Sequence, residues 1–118
     1  MSKDLSISVL MDFYGGLLTD KQKEALELYY NQDFSLAEIA EHMDISRQGV
    51  RDFIKRGEKQ LEEFESGLGL LARFSRISDK LSVLSQSLAD LENQRLSVKE
   101  KEIVSEMKEV ILDIENDL

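Results

Sequence analysis

An all-α fold is predicted by three features of this 118-residue sequence. It contains no proline, its apolar residues recur at helical spacing through almost the whole chain, and Ser or Thr stands at four positions where a helix would need a cap. Five or six helices and no sheet are the expectation.

The first helix is predicted over Leu5 to Tyr14, where Leu5, Val9, Leu10, Phe13 and Tyr14 fall at helical spacing and Gly15-Gly16 ends the run. Thr19 and Gln22 form a T-x-x-Q capping box, so a second helix should run from Asp20 to about Tyr30 with Ala25, Leu26, Leu28 and Tyr29 available for packing. Asn31-Gln32-Asp33 reads as a turn. Ser35 and Glu38 form an S-x-x-E box that starts a short helix carrying Leu36, Ile39, Ala40 and Met43 on one side. Ser46 can cap the next helix, whose inward side would hold Val50, Phe53, Ile54, Leu61 and Phe64. Gly67 and Gly69 mark its break. Beyond it Leu70, Phe74, Ile77, Leu81, Leu84, Leu88 and Leu91 alternate four and three apart, the a/d stripe of a helix with a long partner. Asn93-Gln94-Arg95 interrupts this stripe. A further box, Ser97 with Glu100, then opens a helix with Ile103, Val104, Met107, Val110, Ile111, Ile114 and Leu118 on one broad face. An antiparallel hairpin is implied, with more apolar face than one hairpin consumes; a second copy of the chain could cover the surplus. The expected organisation is a helix-turn-helix domain over residues 1–66 and a dimerising helical hairpin over 70–118.

Composition restricts the chemistry. There is no Cys and only one His, His42, so disulfide frameworks, thiolate nucleophiles and the usual zinc sites are excluded. His42 falls on the outer side of its short helix and reads as solvent-facing. Gly15-Gly16 lacks the Lys-Ser/Thr of a phosphate loop. Carboxylates are everywhere, but no catalytic motif places a pair of them, so neither an enzyme nor a cofactor is expected. No apolar stretch approaches the length that spans a bilayer, and no basic segment followed by an apolar run opens the chain; no membrane insertion and a cytoplasmic location are expected.

The charge is uneven. Residues 1–45 hold three Lys against nine acids, residues 46–60 five Lys/Arg against two acids, and residues 61–118 seven basic against thirteen acidic residues, so net charges of −6, +3 and −6 make up the total of −9. The one basic island begins where "SLAEIAEHMDISRQGV" ends. That stretch has the helix-turn-helix pattern: Ala40 is the small residue where two helices cross, Ile39, Met43, Ile45, Val50 and Phe53 fill the apolar positions, and Asp44 occupies a turn where glycine is usual but Asp tolerates positive φ. Arg47, Gln48 and Arg51 lie on the first turns of the second helix, where side chains reach base edges in a major groove: Arg can take guanine and Gln adenine. Lys55, Arg56 and Lys59 extend the island toward phosphates. The bland alternative is a solvated surface with Arg47 paired to Asp44, Arg51 to Asp52 or another acid, and Lys55 to Asp52 or Glu58. Gly49, inside a first turn, either relieves crowding against the preceding helix or lets a ligand approach the backbone.

Thr19 to Leu61 resembles region 4 of bacterial sigma factors, the part that reads a promoter element, in a winged-helix-like arrangement. The segments "DFYGGLLTDKQ", "YYNQDFSLAEIAE" and "ISRQGVRDFIKRGEKQLEEFE" are similar to the signature segments of the YlxM-like family of helix-turn-helix proteins, over residues 5 to 71. The resemblance implies a cytoplasmic bacterial protein acting in, or regulating, the signal recognition particle pathway, with components of that particle as partners. Two functions are therefore expected in competition: a homodimeric regulator of double-stranded DNA, or a protein- or RNA-interaction module on the same scaffold. Acidity favours the second, because phosphate neutralisation supplies most non-specific affinity and a +3 island within −9 leaves little of it.

Overall fold

The computed structural model describes residues 3–118 as six α-helices, with no strand among the described residues. They form two compact units, one ending at Leu71 and one spanning Ala72–Leu118.

The first unit contains α1 (Ser6–Tyr14), α2 (Asp20–Leu26), α3 (Leu36–Met43) and α4 (Arg47–Leu68). The capping boxes at Thr19 and Ser35 both close: each hydroxyl accepts from the backbone N–H three residues on, and the Gln22 or Glu38 side chain accepts in return from the cap's own N–H. Because both donors are satisfied locally, these helix starts hold without tertiary help. α2 is prolonged by a π turn over Glu27–Asn31, closed by Gln32 N–H donating to the Glu27 carbonyl at 3.1 Å. Asp33, at φ 58°, then redirects the chain.

α4 is the central element, packing against α1, α2 and α3. Val50, Ile54 and Leu61 on its inner side are wholly buried and meet Ile7, Leu26 and Ile39 in one core. Phe53 and Phe64 pack at the margin of that core. Gly57 shares the inner face, and it is what lets α2 approach: a Cβ there would stand 2.6 Å from Leu26 Cδ1 and 3.3 Å from its Cγ. In α1 the buried residues are Ile7, Leu10, Met11 and Tyr14, whereas Leu5 and Val9, expected to pack, face solvent. This short helix is apolar around most of its circumference, so the position of α4 chooses the face. Gly15-Gly16 does not stop the helix abruptly but continues as a 3-10 turn to Leu17.

α4 ends at Gly69, whose φ of 63° suits the left-handed cap that glycine takes without steric cost. Gly67 remains helical, so of the two glycines it is Gly69 that breaks the helix. The buried Tyr14 hydroxyl donates to the Glu65 carboxylate and accepts from Leu70 N–H at 3.0 Å, while Glu65 accepts from Leu71 N–H at 2.9 Å. Burial first, then the Glu65 hydrogen bond, raise the Tyr14 pKa and keep the phenol protonated.

The second unit is an antiparallel pair, α5 (Leu70–Glu92, starting at the end of the first unit) and α6 (Val98–Asp117), joined through residues 93–97. The Ser97–Glu100 box closes reciprocally at 3.0 and 3.1 Å. Lys108 Nζ bridges to Glu92 Oε1 at 2.7 Å across the pair. Leu81 and Leu88 meet Val104 and Ile111 in a small core, flanked by Ile77 and Leu96. The rest of the predicted stripes is uncovered: Leu84 and Leu91 on α5 and Ile103, Met107, Val110 and Ile114 on α6 are exposed.

Candidate nucleic-acid interface

The helix-turn-helix consists of α3, the turn at Asp44 and α4. Asp44 takes the left-handed conformation at φ 56° and ψ 47°, and its N–H and that of Ile45 donate back to carbonyls of the last turn of α3. Ser46 Oγ then accepts from Gly49 N–H at 3.0 Å and starts α4. Ala40 is buried at this crossing together with Ile39 and Met43. Gly49 lies close to the turn it follows: a Cβ would stand 3.3 Å from Ser46 Oγ and 3.6 Å from Ile45 Cδ1, so the crowding there is with the turn and not with the preceding helix.

All six predicted contact residues lie on α4 and are exposed. Arg47, Arg51, Lys55 and Lys59 recur every fourth residue, so they form a row about 18 Å long on the outer side, with Gln48 and Arg56 beside it. Among the described residues, no acid pairs with Arg47, Arg51, Lys55 or Arg56; Lys59 reaches only Glu63, at 4.0 Å. The pairings of Arg47 with Asp44, of Arg51 with Asp52 and of Lys55 with Asp52 or Glu58 do not form.

The reason lies in the two acids of the island. Asp52 accepts from the Gln48 amide at 3.1 Å, and Glu58 turns toward the first unit's interior to accept from Tyr30 Oη at 2.5 Å. Burial of the Tyr30 phenol, and then this bond, push its pKa upward, so it stays a donor. Both carboxylates are held by neutral donors, and the cations keep their field. Further along, α4 changes sign: Glu62, Glu63 and Glu65 follow Lys59. The basic surface is confined to the first half of the helix. The sequence reading missed Tyr30 and Asp52 as organisers of this surface; Tyr30 lies 28 residues from Glu58, beyond any local signal.

His42 is exposed, 3.7 Å from Glu24 Oε1 and edge-on to Phe34, beside a shallow acidic groove that also includes Asp20 and Glu27. Among the described residues, no group of three or more His, Asp or Glu side chains is arranged to hold a metal, and no helix is long and apolar enough to cross a membrane.

Residues 1–105 match a family model described as "Putative helix-turn-helix protein, YlxM / p13 like". Curated relatives of the same UPF0122 group cover most of the chain. A Thermoanaerobacter protein is 44% identical over 111 residues, 94% of this chain and 92% of its own; one from Acetivibrio thermocellus is 41% identical over 114 residues, 97% of each. A Halalkalibacterium halodurans protein is 50% identical over 88 residues, 75% of this chain and 81% of its own.

Proposed function

Because the chain belongs to the YlxM/p13-like helix-turn-helix family, we propose that it is a non-enzymatic regulatory protein that binds double-stranded DNA through the first half of α4. The observation that carries this is the row of cations that form no ion pair among the described residues, Arg47, Arg51 and Lys55 with Arg56, on the exposed side of the second helix of the motif. Arg47, Gln48 and Arg51 take base edges, as the sigma region 4-like geometry would have them do, and Lys55, Arg56 and Lys59 take phosphates. Gln48 gives up its Asp52 partner to reach adenine, so its contribution is smaller than that of the arginines. Residues 1–66 are the DNA-reading domain. Residues 70–118 bring two copies together, so that one dimer offers two α4 helices to two half-sites. The family resemblance read from the sequence supports a regulatory role in the signal recognition particle pathway, in the cytoplasm.

The net charge of −9 supports a second reading, in which the same row binds RNA or an acidic protein surface and duplex affinity is slight. Selection from random duplex DNA at low salt, followed by fluorescence anisotropy with the enriched and a scrambled duplex, separates the two. Arg51→Ala should weaken the preferred duplex by about 1–3 kcal/mol and relax base choice, while Lys59→Ala lowers affinity for every sequence and reduces the salt slope by about one. No duplex binding at low salt removes the DNA role. Equal losses on both duplexes for both variants remove base readout by Arg51.

A further inference from the structure

We propose that residues 72–118 form half of a four-helix bundle completed by a second copy of the chain, with the two-fold axis running along the helices so that α5 of each copy packs on α6 of the other. This rests on the self-association proposed above and specifies its geometry.

The hairpin is under-buried for its length. Its core consists of Leu81, Leu88, Val104 and Ile111, and units this small rarely hold together on one such core without a staple or an oligomeric partner. The missing cover is one continuous face. Ser85 and Glu92 on α5 and Lys108 and Leu112 on α6 line a groove along one side of the pair. Leu84 and Leu91, each one residue before a groove residue, turn about 100° away onto the opposite side. Ile103 and Val110, each one residue before the buried Val104 and Ile111, turn to that same side, because the two helices run antiparallel. Met107 and Ile114 fall between them, so α5 and α6 each present an apolar stripe in the same direction.

Charge selects the occupant and its orientation. The outer flank of the α5 stripe carries Arg73, Arg76 and Lys80, whereas that of the α6 stripe carries Lys99 near the connection and then Glu106, Asp113 and Asp117. None of these seven forms an ion pair among the described residues. Taking Leu88 as level with Val104 and Leu81 with Ile111 in the shared core sets Lys80 within one residue of the level of Asp113, and Arg76 within one of Asp117. A two-fold axis along the helices keeps these levels and lays each basic flank on the partner's acidic one. An axis across the helices would instead set α5 antiparallel against α5 and α6 against α6, so the basic flank, in the first half of α5, would meet the second half of the partner's α5 and lose its acidic counterpart. The face is thus complementary to itself in one of its two symmetric pairings, which is what a second copy requires. Both chains then enter the bundle from the same end, which suits two helix-turn-helix units serving neighbouring half-sites.

The chain has no Cys, so introduced thiols report cleanly. Sedimentation at on the order of 50 micromolar should give a dimer. Leu84→Cys and Met107→Cys chains, mixed, left to exchange and oxidised, should form the mixed disulfide, since these exposed positions lie within one residue of the same level on α5 and the partner's α6. Arg76→Glu with Lys80→Glu should dissociate the dimer, as should Asp113→Lys with Asp117→Lys, and all four changes in one chain should restore it. A monomer at that concentration removes the self-association itself. A dimer in which Leu84→Cys links only to its own kind, or which the fourfold reversal fails to restore, overturns the axis and leaves self-association standing.

Discussion

Several residues decide this structure through one atom or one dihedral angle, and each has a measurable consequence. Gly57 allows α2 and α4 to approach because a Cβ would overlap Leu26, whose side chain is wholly buried. Gly57→Ala gains about 1 kcal/mol in helix propensity but overpacks by about 1–3 kcal/mol, so a net loss is expected in denaturant unfolding. A gain would show that Leu26 can move aside. Ala40→Leu at the α3–α4 crossing lacks the propensity gain and should cost the full 1–3 kcal/mol or so. Asp44 occupies the left-handed turn at φ 56°, where a β-branched side chain is strained: Asp44→Val should cost about 1–2 kcal/mol and Asp44→Gly should be neutral or stabilising. Equal melting temperatures for the two would mean that the turn relaxes. Asp44 and Ala40 were legible in the sequence, since a short-range pattern fixes both. Gly57 was not, because a helical glycine gives no local sign of what lies opposite it. The Tyr14–Glu65 and Tyr30–Glu58 bonds were hidden for the same reason, spanning 51 and 28 residues.

Helix starts depend mainly on sequence neighbours, and all three capping boxes read from the sequence are closed. Which face a helix buries depends on what it meets, and there the reading was uneven. It chose correctly for α3 and α4, whose apolar residues are confined to one side. In α1 it chose Leu5 and Val9 over Ile7 and Met11, and along α5 and α6 it identified every apolar stripe without saying which of them the hairpin would use. The π turn after Leu26 has no composition of its own and was read as plain helix. The closed caps also predict a pH dependence. The cap backbone N–H, and then the Ser hydroxyl, hold the Glu38 and Glu100 carboxyls below their ordinary range. A depressed folded-state value means that the stabilisation is fully present above the unfolded carboxyl pKa of about 4.3 and is lost as pH falls through the folded value. Glu100→Gln keeps the reciprocal bond without the titration. Melting temperature should therefore fall less between about pH 6 and about pH 3 in this variant than in the parent. Parallel curves would mean that Glu100 does not couple to unfolding.

For the whole molecule, the −9 net charge and the confined basic row set how binding responds to salt. Away from the first half of α4 the surface is largely acidic, so under the proposed DNA role approach to a duplex should be repulsive until the row is close, and non-specific affinity should stay low. Each phosphate neutralised by Lys55, Arg56 or Lys59 releases one counterion and adds about −0.9 to the slope of log affinity against log salt. One copy engaging all three gives a slope of about −3, and a dimer engaging both rows gives about −5. Val110→Glu places a charge in the exposed stripe of α6, away from the buried Val104 and Ile111, so it should separate the copies without unfolding either unit. Anisotropy titrations of the parent and of Val110→Glu on the selected duplex, across several salt concentrations, should show the slope roughly halving along with the loss of affinity. If Val110→Glu sediments as a monomer yet keeps the parent's slope, only one α4 of the dimer touches the duplex, and the two-half-site arrangement is wrong even though the protein binds DNA and self-associates.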